Sequence, residues 1–528
     1  MELSEAARDV LRAYPKAIFH MRSQLERQKF MPVFGAGVGR GLGLPSWSEL
    51  VAAIAAHPDV DGRQLNVSRA SNTSLTQMLF QHFKFRYQKK VCGGLSASDE
   101  RMCKAEWSTI IYECLYKNAR PARDHPYLSH FMPIVRKAPL TVNYNFDDYI
   151  EDLLDDSTET GTEDAPEIVW EPTVQYRKSK GVIYHPNGFL PKKLQRGSSS
   201  WLVFADDSFE DQIIDAQRGH YSTLLSHLFR FTSLLIGLSL DDPTLRHLLR
   251  QNALANPGHV HYYVAYSDVE RSNTASREMA SRESNFSTYN LVTLFLDDDG
   301  IRGLAELINM PAPQFAMHAS ELGLPRSYVY FLSGAVGGGK TSCLAHFKSL
   351  TTFNEWIDPK PELMLKPADG LSDSDRTVVD EWINKQFKRK SFLVRHAENE
   401  VCVVDRSLID PLAFTPSHSR KVRACELADL YGVEGAVEGE VILLVGIPQV
   451  MRGRIAERHK GGSEEYISSL QEAFRELWGM VSSVRIVDTG DKAIYQVVKE
   501  VSRIIHLEQY LCTPVRSILE RVSEGNWR

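Results

Sequence analysis

Short apolar runs recur along this chain, separated by longer windows of helical spacing. In the first part they lie at Phe30 to Phe34, near Pro139 to Tyr144, and at 182–185, 201–204, 234–238, 260–265 and 291–296. Bounded runs of this length predict buried parallel strands, and their alternation with helices predicts a doubly wound α/β sheet. Residues 1–30 predict an amphipathic helix, and helical segments follow from about 100 to 155. The polar stretch 156–166 predicts a surface loop. Residues 311–326, with Pro311, Pro313 and Pro325, predict a linker. Beyond it, apolar runs at 328–332, 400–404, 440–446 and 484–488 alternate with long helical windows. The expected fold class is α/β, with two doubly wound domains at 1–310 and 327–528. No internal repeat relates them.

Composition narrows the function without naming it. A chain of 528 residues exceeds what one core serves, so more than one domain is expected. It is 43% hydrophobic and 24% charged, which is ordinary for a globular protein. Lys and Arg number 61 against 67 Asp and Glu, a net charge of −6, so nothing global points to nucleic acid or an acidic membrane surface. Two local basic clusters, Lys385 to Lys390 and Arg452 to Lys460, read either as solvated faces or as phosphate sites. None of the seven cysteines forms a C-x-x-C pair, which argues against a four-cysteine zinc site and for free thiols in a reducing compartment. The start of the chain is acidic and lacks a signal-peptide apolar stretch, and no run reaches the length of a membrane span. The expectation is a cytoplasmic protein with no membrane partner.

Candidate chemistry begins with two glycine-rich loops of different design. The first, Phe34-Gly35-Ala36-Gly37-Val38-Gly39-Arg40-Gly41, follows the first apolar run. The second, Gly334-Ala335-Val336-Gly337-Gly338-Gly339-Lys340-Thr341, follows the run 328–332. Such turns between strand and helix aim backbone N–H groups at an anion, so two nucleotide-handling modules are expected. The first loop lacks the third glycine of the dinucleotide fingerprint, because Arg40 stands there. The second matches the full G-x-x-x-x-G-K-[ST] pattern with a strand before it and a helix after it.

The string Gly35-Ala36-Gly37 … Gly43-Leu44-Pro45-Ser46-Trp47 resembles the opening of the sirtuin family, especially its bacterial sirtuin-like branch. Two later segments share the resemblance, which spans 15–310. Asn143-Tyr144-Asn145-Phe146-Asp147-Asp148-Tyr149-Ile150-Glu151 is similar to the family's T-x-N-x-D-x-x-x-E segment. The preferred register makes Asn145 and Asp147 the key pair; the other starts at Thr141 and makes Asn143 the key amide. Leu235-Ile236-Gly237-Leu238-Ser239-Leu240-Asp241-Asp242-Pro243 resembles the family's G-x-S-x-x-D turn. The resemblance implies NAD as ligand, held by Gly35, Ala36, Gly37, Trp47, Gly237, Ser239 and Asp241. It also implies a Rossmann-like fold and cleavage of the nicotinamide–ribose bond, with Asn145 holding a ribose hydroxyl or the attacking water.

The family places a general-base histidine directly before a glycine. Here the segment reads Tyr184-His185-Pro186-Asn187-Gly188-Phe189-Leu190-Pro191, with Asn187 in that position. Three readings stay open: His185 acts from two residues away, hydrolysis proceeds without an imidazole, or NAD is bound without turnover. The zinc ribbon of sirtuin deacylases has no counterpart here, so the resemblance points to the zinc-less branch, associated with NAD hydrolysis in antiphage defence.

In the second module the loop implies a nucleoside triphosphate, ATP or another, with Gly334 and Gly339 shaping the cradle. Lys340 would reach the β/γ-phosphates, and Thr341 would ligate Mg²⁺. Asp405 closes the run Val401-Cys402-Val403-Val404 and suits a contact to Mg²⁺ or a substrate hydroxyl. The string Asp405-Arg406-Ser407 resembles a motif of thymidylate and deoxynucleoside kinases, as does Glu355-Trp356-Ile357-Asp358-Pro359. Arg452, Arg454 and Arg458 fall where that resemblance places a lid over the phosphates, or else on a solvated helix face. The whole implies an oligomeric antiphage protein. In it a nucleotide or phage-derived trigger at the second module would release NAD hydrolysis in the first. The alternative is an NAD-sensing module that regulates a (deoxy)nucleotide kinase.

Overall fold

The computed structural model describes residues 2–65, 71–91, 96–156, 165–170, 181–193, 196–199, 202–217, 222–240, 242–267, 274–365, 372–432, 434–456 and 463–525. The chain divides into two compact units. The first comprises Met1–Tyr14, Gln24–Ala255 and Val260–Met310; the second comprises Pro15–Ser23, Asn256–His259 and Pro311–Arg528.

The first unit holds a seven-stranded sheet: β1 (Phe30–Phe34), β2 (Leu140–Asn143), β3 (Glu167–Val169), β4 (Val182–Tyr184), β5 (Thr232–Ile236), β6 (His261–Tyr266) and β7 (Leu291–Leu296). Their order is β3-β4-β2-β1-β5-β6-β7, and every pairing is parallel. β1, β2, β4 and β5 are buried along their whole length, as strands covered by helices on both faces must be. The order turns at β1: β2 lies on one side and β5 on the other. Ligands in open α/β sheets bind outside the carboxyl ends of the strands at such a switch point.

The second unit holds β8 (Tyr328–Ser333), β9 (Thr351–Phe353), β10 (Val401–Asp405), β11 (Glu440–Val445) and β12 (Arg485–Asp488). They form a parallel sheet of order β12-β11-β8-β10-β9, with β8 central. Its core runs through Phe331, Val404, Leu443, Leu477 and Trp478, each contributing about 1.5–3 kcal/mol on burial. The chain is therefore α/β with parallel sheets in both units.

Four local expectations differ from the structure. Residues 1–30 form two helices, Glu5–Ala13 and Pro15–Glu26, because proline has no N–H to continue the first and suits the start of the second. The start of the second helix belongs to the second unit, where the Phe19 ring packs edge-on to Phe315 and Tyr328. The linker expected at 311–326 contains the helix Ala312–Glu321, which buries Phe315. The apolar run at 201–204 is no strand over its described residues: Val203 and Phe204 are buried, but their N–H groups bond to the Asn187 carbonyl and the Ser208 hydroxyl. The three-residue edge strands β3 and β9 are too short and too mixed to show a period. Most of the loop expected at 156–166, residues 157–164, lies outside the described residues.

Candidate functional site

The first glycine loop leaves β1 at the switch point. Gly35 is extended, and Ala36–Gly39 make one helical turn that tightens into a 3₁₀ turn ending at Gly43, φ +75°. The glycines answer a packing demand. A Cβ on Gly35 would lie 2.5 Å from Leu238 Cδ2, and one on Gly37 2.9 Å from Gly237 Cα. Gly237, at φ +70°, likewise leaves no room for a Cβ, which would sit 2.6 Å from the Val38 nitrogen. The Gly35 N–H donates to the Ile236 carbonyl (2.9 Å) and the Gly37 N–H to the Gly237 carbonyl (2.8 Å). These two N–H groups, expected to face a phosphate, instead join the ends of β1 and β5. His125, which carried no sequence signal, pins the loop from below. Its Nε2–H donates to the Val38 carbonyl (2.7 Å), while Nδ1 accepts from the Leu128 N–H (3.0 Å). Burial lowers its pKa, in keeping with a neutral ring.

At the end of β2 the chain carries Asn143, Asn145 and Asp147, the first two hydrogen-bonded to each other. Asn143 is fully buried; its Oδ1 accepts from the Asn145 N–H (3.1 Å), and its Nδ2 finds no partner among the described residues. Asn145 is half-buried, and its Nδ2 donates to the Gly35 carbonyl (3.1 Å), which ties it to the glycine loop. Asp147 is buried and accepts from the Tyr149 N–H (3.3 Å). Burial pushes its pKa up to about 7, with Glu151 and Asp148 adding to the rise.

His185 does not fit the role of a free general base. It is wholly buried at the end of β4, and both ring nitrogens are engaged. Nδ1 lies 3.0 Å from the Asn145 carbonyl and Nε2 2.9 Å from Glu151 Oε1. Burial opposes its charge, but the neighbouring Glu151 carboxylate outweighs burial and raises its pKa. Asn187 is also buried. Its Nδ2 donates to the Tyr144 carbonyl (3.3 Å), and its Oδ1 accepts from Gln212 Nε2 (3.3 Å). Gln212 in turn accepts from the Thr244 hydroxyl (2.9 Å). Sequence reasoning missed Gln212 and Thr244, which lie on helices with no motif around them. Trp47 stacks on Phe204, with centroids 5.6 Å apart. Ser239 is exposed beyond β5, and Asp241 lies outside the described residues.

The second loop is built differently. Gly334, Gly337 and Gly339 all have positive φ, at +132°, +79° and +88°. A Cβ on Gly334 would meet the Leu444 carbonyl at 2.4 Å, whereas Gly339 faces open space. Lys340 is buried, and its Nζ donates to the Gly334 (2.7 Å) and Ala335 (2.9 Å) carbonyls. Burial lowers its pKa, and Arg406 adds to the effect. The Thr341 hydroxyl donates to Asp405 Oδ2 (2.7 Å), and the fully buried Oδ1 of Asp405 has no partner among the described residues. A hydroxyl beside a carboxylate with a spare buried oxygen fits the hard oxygen donors that Mg²⁺ takes.

Arg406 holds a left-handed backbone, φ +71°, unusual for a side chain of its size. Its Nε donates to Glu355 (2.6 Å), its guanidinium covers the Phe414 ring at 4.7 Å, and Asp410 lies 3.9 Å away. Asp410 accepts from Ser333 (2.7 Å), and burial raises its pKa. Lys390, in a basic cluster readable as a solvated face, is fully buried and donates to the Asp405 carbonyl (2.8 Å). Arg454 does not reach over the loop: it donates to the Thr489 carbonyl (2.7 Å). Arg452 pairs with Glu464 at 3.0 Å, and Arg458 lies outside the described residues.

Among the described residues no group of three or more His, Cys, Asp or Glu side chains is placed to hold a metal ion. The six described cysteines are free thiols; Cys92 lies outside the described residues. Among those residues no helix is long and apolar enough to cross a membrane.

A family model described as SIR2-like domain matches residues 139–293. That segment runs from β2 to β7 and contains Asn143, Asn145, Asp147, His185, Asn187, Gly237 and Ser239. The glycine loop after β1 and the second unit's loop lie outside it. No curated protein matches the chain. A sirtuin-like domain is thus present, and it implies use of NAD.

Proposed function

We propose that the first unit cleaves NAD with water to nicotinamide and ADP-ribose, gated by nucleotide binding or phosphoryl transfer in the second, as a bacterial antiphage defence protein. The observation that carries this reading is Asn145. It is a half-buried amide at the switch point, tied to the Gly35 carbonyl, within a SIR2-like domain. In the reaction the bond from the ribose anomeric carbon to nicotinamide breaks, and a bond from that carbon to water oxygen forms. Nicotinamide leaves as a neutral ring and needs no proton donor. The oxocarbenium-like carbon is electrophilic enough for water, whose proton departs after attack. An amide that orients water or a ribose hydroxyl therefore suffices. This suits a site where Asn187 replaces the expected histidine and His185 is fully engaged.

In the second unit Thr341 and Asp405 would hold Mg²⁺, which neutralises phosphate charge. Lys340 would exchange its two loop carbonyls for phosphate oxygens when a triphosphate binds.

Nicotinamide release by the full-length protein, across a panel of nucleoside triphosphates, tests the proposal. Release that depends on the nucleotide and is lost in Asn145→Ala supports it. NAD binding without release under every condition supports the alternative, an NAD-sensing module on a (deoxy)nucleotide kinase. The buried, fully engaged amide of Asn187 favours that alternative.

A further inference from the structure

We infer that His185 is a positioning residue: its ring, doubly protonated and held by Glu151, fixes the Asn145 backbone and so aims the Asn145 amide. This rests on the hydrolase reading.

The geometry gives Asn145 three anchors. Its N–H donates to Asn143 Oδ1 (3.1 Å), its side-chain Nδ2 donates to the Gly35 carbonyl (3.1 Å), and its own carbonyl accepts from His185 Nδ1 (3.0 Å). A carbonyl only accepts, so Gly35 fixes which end of the amide carries hydrogens, and Asn145 fixes a proton on Nδ1. The amide oxygen Oδ1 of Asn145 is left, among the described residues, to accept from a water or a ribose hydroxyl. On the far side of the imidazole, Nε2 lies 2.9 Å from Glu151 Oε1, and an ionised carboxylate there also only accepts. Both ring nitrogens then carry protons. The ring is shut from solvent, with the Phe189 ring 4.4 Å away. Glu151 and Asp147 are the ionisable groups that face it. Glu151 is itself buried on the helix Tyr149–Asp156, so a chain of contacts runs from that helix through β4 to the glycine loop.

The charge has a pH consequence. The ring's pKa is raised above the ordinary value, so the protonated clamp is complete below about pH 6.5 and is lost as pH rises through the raised value. A neutral ring would release one of its two partners.

The test is the pH profile of nicotinamide release by full-length wild type and Glu151→Gln. Glutamine keeps the shape and removes the charge. The alkaline limb should move down by about one to three pH units, the shift an adjacent opposite charge makes, with the rate recovering below it. Superimposable profiles, or an equal loss at every pH, overturn the inference. Spectra of ¹⁵N-histidine-labelled protein over the same range read the ring's charge without turnover. A singly protonated His185 at pH 7 overturns the clamp even if hydrolysis is intact. A wild type that releases no nicotinamide but shows a doubly protonated ring overturns the hydrolase reading and leaves the clamp standing.

Discussion

The two glycine loops differ in their strings, and in the fold they solve different problems. In the first, glycines let two strand ends approach, and the Gly35 and Gly37 N–H groups are already bonded to carbonyls of the β5 end. Polar chemistry there comes from side chains one strand away, at Asn143 and Asn145. In the second, three glycines take positive φ, and the charged residue sits inside the loop itself, with Lys340 on the Gly334 and Ala335 carbonyls. A glycine-rich string therefore says that backbone must come close to something. Whether that partner is another strand or an anion depends on where the N–H groups are aimed.

The largest effect expected of this contrast is at Asn145. Asn145→Ala should lower nicotinamide release on the order of a hundredfold or more, the scale of a lost group that stabilises developing charge. Triphosphate affinity, measured by calorimetry, should not change. Should Asn143→Ala abolish release while Asn145→Ala spares it, the buried amide with the unpartnered Nδ2 is the reactive one.

Lys340→Ala should weaken triphosphate binding by about 1.5–3 kcal/mol, the scale of a hydrogen bond to a charged group. Unchanged affinity would mean that the lysine's place on the loop carbonyls is its permanent one.

The glycines themselves sharpen the contrast through stability. Gly37→Ala puts a Cβ 2.9 Å from the Gly237 backbone, which cannot yield as a flexible side chain would. Urea unfolding should show a loss of about 1–3 kcal/mol, as overpacking typically costs. Gly339→Ala meets nothing and should cost only the left-handed backbone term, about 1–2 kcal/mol. A Gly37→Ala variant as stable as the wild type would remove the packing demand that sets the first loop apart.

The smallest expected effect is the coupling. Lys340→Ala should change NAD consumption through the nucleotide dependence alone, by about 1–3 kcal/mol or less. This is best measured in the full chain. A fragment ending at residue 310 would carry Phe19 without Phe315 and Tyr328, its partners in the second unit. Nicotinamide release that ignores every nucleotide, in wild type and variant alike, would leave two independent activities.

Much of the candidate site was legible because its residues lie in short strings at strand ends. Gly35 and Gly37, Asn143 to Asp147, Gly237, the Lys340 loop and Asp405 all fall where an apolar run stops. The missed residues lie elsewhere. Glu151 was visible as the end of a motif, but its pairing with His185 was not. Lys390 sits in a basic run that reads as a solvated face or a phosphate site, and packing buries it against the Asp405 carbonyl. Arg454 read as a lid residue or a solvated helix face, and its contact to the Thr489 carbonyl just past β12 had no signal in the sequence. His125, Gln212 and Thr244 carry no local pattern at all.

By itself the sequence determined the α/β class with parallel sheets, most of the long strands and the places where strands end in glycine, amide or carboxylate. Those follow from local rules: apolar runs bury themselves, and glycine allows φ and approaches that other residues do not. Only the tertiary structure decided what each polar group faces. The same imidazole is a base or a clamp according to whether Glu151 and the Asn145 carbonyl occupy its nitrogens, and those neighbours arrive from separate elements. Protonation state, hydrogen-bond direction and burial are set by such non-local contacts, and no spacing along the chain encodes them.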